Sequence, residues 1–308
     1  MTTNTALTSS RWEQTLTTWA KGPGETEKAK CENAVKAIRK AIAAHPQLST
    51  MDITVDAHGS YPNRTNIAQE SDVDIHIRRN MSYFYDLPPN TKPEDFGIIP
   101  GTLAYADYKN MVQEALESHF GKTNVTRGKK AFDIHENTNR IDADAVAAFG
   151  YRYYSAAGTL VTGPEYQPGF SFYPDAGEKI FNYPDQVYAN GVAKHEATGK
   201  RYKKIIRILK NARNSMQGDR VPGAADVAST LIEGLVWNVP NNQFGSPTLY
   251  QDLQNALVAI YTGVKDDAGC QQWTEVNGIK YLFRPSQPWT RQKALDFILA
   301  SYSFIGFK

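Results

Sequence analysis

The feature that most constrains the fold is a strict alternation of polar and β-branched residues in the run DVDIHI, at residues 72–77. Alternation with a period of two is typical of a β-strand with one apolar face, because successive side chains point to opposite faces. Asp72 and Asp74 therefore share one face of the predicted strand. A shorter alternation over residues 53–57 predicts an earlier strand, which Gly59 and Ser60 follow.

A further strand is predicted over residues 140–146, where Asp142 and Asp144 alternate with apolar residues. Apolar residues recur at helical spacing over 28–44 and again over 108–120, which predicts two amphipathic helices. Strands and helices interleaved in this way indicate a mixed sheet covered by helices.

The second half of the chain has a mainly helical pattern. Helices are predicted over residues 201–214, 224–239, 247–262 and 290–302. Glycines and prolines punctuate the stretch 155–177 that precedes these helices, and Asn277-Gly278 predicts a β-hairpin over 273–283. The predicted class is α+β, with a first domain over residues 1–160 that includes an N-terminal helix, and a helical domain over 161–308.

Composition narrows the possible functions. The chain has 308 residues, a length typical of two domains, and its formal net charge of +2 gives no reason to expect a long nucleic acid as partner. Two cysteines are too few for a disulfide framework. The first residues lack the apolar region of a secretion signal, and no apolar run is long enough to span a membrane, so we expect a cytoplasmic protein with no membrane partner.

The candidate chemistry lies in the combination of Gly59-Ser60 with the acidic strands. A Gly-Ser turn between a strand and a helix can hold nucleotide phosphates with its amides and hydroxyl. Asp72 and Asp74, with either Asp142 or Asp144 from a neighbouring strand, supply the oxygen ligands that Mg²⁺ prefers. This pattern indicates a two-metal phosphoryl transfer.

An Asp-x-Asp pair alone is more often a solvated strand face, and the Gly-Ser turn at this spacing favours the catalytic interpretation instead. We expect His76, which continues the same face, to be a supporting or exposed residue rather than a metal ligand.

These segments resemble a known family. The runs GSYPNRTNIAQESDVDIHI and DADAVAAF are similar to the active-site signature of the DNA polymerase β-like nucleotidyltransferases. Three later runs, ANGVAKHEATGKRYKKIIRILKNARN, ASTLIEGLVWNVPN and WTEVNGIKYLF, extend the resemblance to the bacterial CD-NTases, the relatives of cyclic GMP-AMP synthase, and within them to clade E.

The resemblance implies a role for individual residues. It implies that Asp72, Asp74 and Asp144 are catalytic and hold two Mg²⁺ ions, with Mn²⁺ as a substitute. It also implies that the nucleoside triphosphate, which would be ATP, UTP or GTP, is held by four residues: Gly59, Ser60, Lys210 and Ser229. Three further basic residues are expected to be solvated or to face the acceptor: Lys203, Arg207 and Arg213.

The implied activity is synthesis of a cyclic di- or trinucleotide messenger from nucleoside triphosphates, with release of pyrophosphate, for anti-phage (CBASS) signalling. The implied partners are a separate effector protein that the product activates and a possible protein regulator. The same active-site pattern also serves RNA 3′-end nucleotidyltransferases and enzymes that adenylylate small molecules or proteins. A degenerate nucleotide-binding module is disfavoured because all three carboxylates are present.

Overall fold

The computed structural model describes residues 2–68, 72–159 and 163–307. The chain forms two compact units. We call them the sheet unit, which comprises Gly24–Pro62 and Ser71–Asp185, and the helical unit, which comprises Met1–Pro23, Asn63–Glu70 and Gln186–Lys308. Over the described ranges, no helix combines the length and the apolar character that crossing a membrane requires.

The sheet unit contains seven described strands: β1 (Ile53–Ala57), β2 (Val73–Asp86), β3 (Val125–Arg127), β4 (Phe132–Ile134), β5 (Ala143–Thr159), β6 (Gly163–Phe172) and β7 (Ile180–Asn182). The strand order is β1-β2-β5-β4-β3, and β6 pairs with β5 and β7. Strands β2 and β5 are parallel, and every other pair is antiparallel. The sheet is therefore mixed, as predicted.

The helices of the sheet unit are α2 (Glu25–Ala44), α3 (Ser60–Asn63, which ends at the unit boundary) and α4 (Tyr105–Phe120). Val73, Ile75 and Ile77 of β2 are fully buried in one apolar cluster with residues of α2 and α4. Since side chains alternate along a strand, the polar positions between them point to the other face of the sheet.

The helical unit contains α1 (Thr2–Trp19), α6 (Tyr202–Gly218), α7 (Ser229–Trp237), α8 (Leu249–Val264), α9 (Asp267–Cys270) and α10 (Arg291–Ile305), and α5 (Pro184–Ala197) begins at its edge. Thr248 and Thr290 accept hydrogen bonds from Gln251 N and Lys293 N, both 3.2 Å, and so cap the N-termini of α8 and α10. One apolar core joins these helices and includes Leu16 of α1.

The structure divides the chain differently from the boundary expected at residues 160/161, which lie outside the described residues. The β5–β6 pairing continues the sheet unit to Asp185, and α1 groups with the helical unit because Leu16 packs into the core of that unit. The stretch 155–177, for which no strand was predicted, contains β6, because pairing with β5 and burial of Phe170 and Phe172 outweigh the local glycines and prolines.

The hairpin expected over residues 273–283 is reduced to a single bridge between Thr274 and Tyr281. The turn itself forms, with Gly278 at φ +70°. The cross-strand hydrogen bonds on either side of this bridge form, from Glu275 N to Lys280 O and from Leu282 N to Trp273 O, both 2.8 Å. Thr274 N donates to Asn238 Oδ1 and Thr274 O accepts from Asn238 Nδ2, so the side chain of Asn238 occupies the outer edge of this short pairing.

Candidate active site

Asp74 of β2 and Asp144 of β5 are direct partners in the parallel register of the two strands. Their neighbours Val73 and Ala143 are paired in the same register and are buried on the side of α2 and α4. The two carboxylates therefore lie side by side on the opposite face of the sheet.

Asp72 precedes the first residue of β2 and is exposed. The negative charge of Asp72 affects the pKa of Asp144. Burial raises this pKa above its ordinary value of 3.8, and the charges of Asp72, Asp133 and Asp142 raise it further. The structure thus brings Asp72 and Asp144 within electrostatic range, and the mutual repulsion of these carboxylates is the situation that a bound cation relieves.

Asp142 and Asp144, which the sequence left as alternatives, have different surroundings. The carboxylate of Asp142 accepts a hydrogen bond from Glu136 N at 2.5 Å, and its carbonyl oxygen accepts one from Val73 N at 3.1 Å. Asp142 therefore fastens the loop before β5, whereas Asp144 lies beside Asp74 within the strand.

Asp133 is a fourth acidic residue that the sequence analysis missed. It lies on β4, where its register partner is Asp144, so it is placed on the same face of the sheet. Its carboxylate is half exposed and lies 3.8 Å from His135 Nε2. Phe132, Asp133 and Ile134 do show the apolar–polar alternation of a strand, but three residues are too few to predict one from the sequence.

The Gly59-Ser60 turn packs directly against Asp74. Gly59 has φ +70°, a conformation that favours glycine, and a Cβ atom added to it would overlap Asp74 Oδ2. The preceding residue, His58, donates its backbone N–H to Asp74 O at 2.8 Å. Ser60 begins the short helix α3. The turn can follow this path only because residue 59 has no side chain.

Two histidines, His58 and His76, pack against Phe170 close to the acidic residues in the chain. His76 stacks on Phe170 of β6 at 4.8 Å between ring centroids, and His58 lies edge-on to the same ring. Burial lowers the pKa of His58 to about 4, and burial followed by the charges of His58 and Arg78 lowers the pKa of His76 to about 3. His76 is therefore a neutral buried residue, not an exposed one.

Lys210 of α6 is completely buried, and its Nζ lies 2.9 Å from Glu233 Oε1 on α7. The same carboxylate oxygen accepts a hydrogen bond from Thr65 Oγ1 at 2.8 Å. Ser229, the first residue of α7, accepts a hydrogen bond from Arg213 Nη1 at 2.8 Å. The residues expected to hold the triphosphate from the helical unit are thus fixed by neighbours within that unit.

Three basic residues of α6, Lys203, Arg207 and Arg213, were expected to be solvated or to face the acceptor, and they do not form a solvated face. Lys203 and Arg213 are buried, and Arg207 donates to Ala20 O and Arg64 O at 2.7 and 2.5 Å. Arg207 and Arg213 thus join α6 to other segments of the helical unit, and long-range contacts of this kind leave no mark on the periodicity of one helix.

The structure places the predicted site residues in two groups. Gly59, Ser60, Asp72, Asp74 and Asp144 lie in the sheet unit, and Lys210 and Ser229 lie in the helical unit. Across the described ranges, no three His, Cys, Asp or Glu side chains are already gathered tightly enough to hold a metal ion. The predicted ligands therefore remain a prediction, which their shared face and raised Asp144 pKa support.

The fold and the acidic pair define a nucleotidyltransferase of the polymerase β-like class, and comparisons with known proteins narrow this class. Residues 189–306 match the family described as the cGAS/DncV-like nucleotidyltransferase C-terminal helical domain. The chain is 37% identical to a cyclic dipyrimidine nucleotide synthase of Legionella pneumophila and 33% identical to another of Cecembia lonarensis, in each case over 96% of this chain and 98% of the relative.

Among solved structures, the Elizabethkingia meningoseptica CdnE cyclic dinucleotide synthase with GTP and Apcpp superposes with a TM-score of 0.78 at 34% identity, covering 96% of this chain and 99% of that chain. The Rhodothermus marinus CdnE c-UMP-AMP synthase with Apcpp and Upnpp gives 0.80 at 29% identity, covering 94% of each. The chain therefore belongs to the cGAS/DncV-like nucleotidyltransferase (CD-NTase) family, within clade E, and the resemblance read from the sequence is confirmed.

Proposed function

We propose that this protein is a template-independent nucleotidyltransferase that makes a cyclic di- or trinucleotide from nucleoside triphosphates. The observation that carries the proposal is the in-register pair Asp74 and Asp144 beside the Gly59 turn. It occurs in a chain that aligns over nearly its whole length with cyclic nucleotide synthases. The product would be a second messenger of CBASS anti-phage signalling that acts on a separate effector protein.

In this proposal Asp72, Asp74 and Asp144 hold two Mg²⁺ ions, or Mn²⁺ in their place. Such ions, when bound, make a hydroxyl a better nucleophile and stabilise charge on the transferred phosphoryl group. Asp74 and Asp144 fit this role because both present oxygen donors on one sheet face, and Asp144 is held among like charges.

The Gly59-Ser60 turn would hold the outer phosphates with its backbone amides and the Ser60 hydroxyl, at the place where α3 begins. From the helical unit, Lys210 and Ser229 would contact the same triphosphate. Each transfer joins a ribose 2′ or 3′ oxygen to an α-phosphorus and breaks the bond to the leaving pyrophosphate. A second transfer within the linear product closes the ring.

The rival activities are RNA 3′-end nucleotidyl transfer and adenylylation of a small molecule or protein. The relatives' names favour cyclisation, and they include dipyrimidine, dipurine and mixed products. We therefore expect the substrates to be drawn from ATP, UTP and GTP. The bases found in the product identify which of these the enzyme uses.

The test is to incubate the protein with α-labelled nucleoside triphosphates and Mg²⁺ or Mn²⁺, treat with phosphatase, and identify the resistant product by mass spectrometry. We expect a phosphatase-resistant cyclic nucleotide from the wild type and none from Asp74→Asn. Asp133→Asn is the matched control, because Asp133 lies on the same face but outside the proposed ligand set. Phosphatase-sensitive linear chains would instead support the RNA 3′-end activity.

A further inference from the structure

Arg140, just before β5, is 8% exposed, yet no carboxylate in the described part of the chain forms an ion pair with it. Its guanidinium lies over the ring of Phe120 at 4.7 Å and makes one long hydrogen bond, from Nη1 to Ile134 O at 3.5 Å. Asp142 is close enough to act on Arg140 electrostatically, but its carboxylate is engaged by Glu136 N. A guanidinium has five N–H donors, so most of those of Arg140 lack a protein acceptor.

A cavity of about 380 Å³ opens beside this arginine. It lies among α2, α4 and the loop 137–140, and the residues that line it include Asn33, Phe120, Asn124, Asn137, Asn139 and Arg140. The lining is rich in amide groups and contains no acidic residue. This volume is within the range of small-molecule sites.

Two of the amides are free to serve a ligand. Asn137 Oδ1 accepts the backbone N–H groups of Asn139 and Arg140, at 2.9 and 3.0 Å, and its Nδ2 has no partner in the described structure. Asn124 donates to Phe120 O at 2.8 Å, which leaves its Oδ1 available. Lys36 and Lys40 are exposed on α2, one turn from the lining residues Asn33 and Ala37.

We propose that this cavity, which we call the Arg140 cavity, binds a phosphate-bearing anion at a site separate from the carboxylates. A buried guanidinium that forms no ion pair with a carboxylate is costly, and a phosphate supplies both the charge and the acceptors that match its planar fork of donors. The unpaired Asn137 amide and the nearby lysines favour an anion over a neutral ligand.

The two sites lie on opposite faces of the sheet. Arg140 donates to Ile134 O, and the cavity is formed partly by α2 and α4, which pack on the face that carries Ala143. Asp74 and Asp144 point to the other face. A ligand in the Arg140 cavity therefore does not occupy the proposed phosphoryl-transfer site, and the inference stands independently of the proposed function.

The test compares thermal unfolding of the wild type with and without about 10 mM inorganic phosphate, with ionic strength matched by sodium chloride. Two variants are melted alongside. Arg140→Met removes the cation and keeps an apolar contact with Phe120. Asn137→Asp keeps a side-chain oxygen that accepts the backbone N–H groups of residues 139 and 140, and it adds a fixed negative charge to the cavity.

We expect phosphate to raise the Tm of the wild type by on the order of 2 °C more than that of either variant. Without phosphate, both variants should melt at or above the wild-type temperature, because each removes or neutralises an uncompensated charge. Phosphate bound at the proposed phosphoryl-transfer site raises the Tm of all three proteins equally, so it does not affect the difference between them.

Equal phosphate gains in all three proteins would overturn the proposal. So would a phosphate-free Tm several degrees below wild type for Asn137→Asp, since that variant preserves the turn and differs only in charge. If Arg140→Met does not fold, Asn137→Asp alone decides. Calorimetric titration with phosphate, pyrophosphate and AMP then shows which kind of phosphate compound the cavity binds. If wild type and Asn137→Asp bind all three equally, the site is also refuted.

Discussion

Lys210 Nζ lies 2.9 Å from Glu233 Oε1, and no part of the lysine side chain is exposed to solvent. Thr65 donates to the same oxygen from the segment that directly follows α3. Glu233 therefore fixes a lysine proposed to contact the triphosphate and also anchors the chain just after the Gly59-Ser60 turn. Removing the Glu233 carboxylate would therefore disturb its contacts with both Lys210 and Thr65.

We predict that Glu233→Gln lowers the free energy of unfolding by about 3 kcal/mol, because it removes the carboxylate charge that lies 2.9 Å from the buried Lys210 Nζ. Urea unfolding measures this. The matched control is Asp56→Asn, which breaks the half-exposed 2.6 Å ion pair with Arg39 and should cost under about 1 kcal/mol. Equal costs for the two variants would show that Glu233 does not compensate a buried charge.

Gly59→Ala tests the contact between the turn and Asp74. Because alanine disfavours φ +70° and its Cβ would overlap Asp74 Oδ2, the turn or the carboxylate must shift. A displacement of about 1 Å at a reacting group costs on the order of 100-fold in rate, and we expect a loss of this size in kcat for cyclic product formation. Gly278→Ala, with the same φ of +70° outside the site, should leave kcat within about 3-fold of wild type.

Asp144→Asn is expected to abolish nucleotide turnover and to raise the Tm measured in EDTA. The raised pKa means that the folded protein favours protonated Asp144, so the ionised side chain costs stability once the pH rises above its ordinary pKa of 3.8. Asparagine removes that cost at neutral pH. Asp142→Asn provides the contrast, because it loses the charge that holds Glu136 N and should not raise the Tm. A lower Tm for Asp144→Asn would contradict this account.

His195 on α5 predicts a pH dependence of stability. Burial, followed by the charges of Lys203 and Arg207, lowers its pKa from 6.5 to about 4. The unfolded chain then binds a proton that the folded protein does not, so stability is fully present above pH 6.5 and falls as the pH decreases toward 4.

The measurement is Tm against pH from 7.5 to 4.5 for wild type and His195→Asn, because asparagine offers an oxygen to the Lys203 N–H that His195 Nδ1 accepts at 3.4 Å. We expect the variant to lose less Tm than the wild type over this window. Parallel curves would exclude His195 as a source of the acid sensitivity.

Local patterns predicted most elements of the chain and the shared face of the acidic residues. Period-two alternation sets which side chains share a strand face, and helical spacing sets which face of α2 and α4 is buried. The family resemblance supplied Lys210 and Ser229, which spacing alone does not single out. The polymerase β-like fold and the membership in the CD-NTase family were both predicted and are confirmed.

By itself, then, the sequence determined that Asp74 lies on the polar face of a strand after a Gly-Ser turn, because that depends only on the local geometry of the backbone. The tertiary structure decided which residues stand next to it. Register between β2 and β5 placed Asp144 beside Asp74, and register with β4 added Asp133.

Tertiary structure also decided that Lys210 is buried against Glu233 and that the buried Arg140 forms no ion pair within the described residues. Strand pairing and charge pairing join residues far apart in the chain. Their energies depend on packing and on the water that each group loses, which no local pattern records.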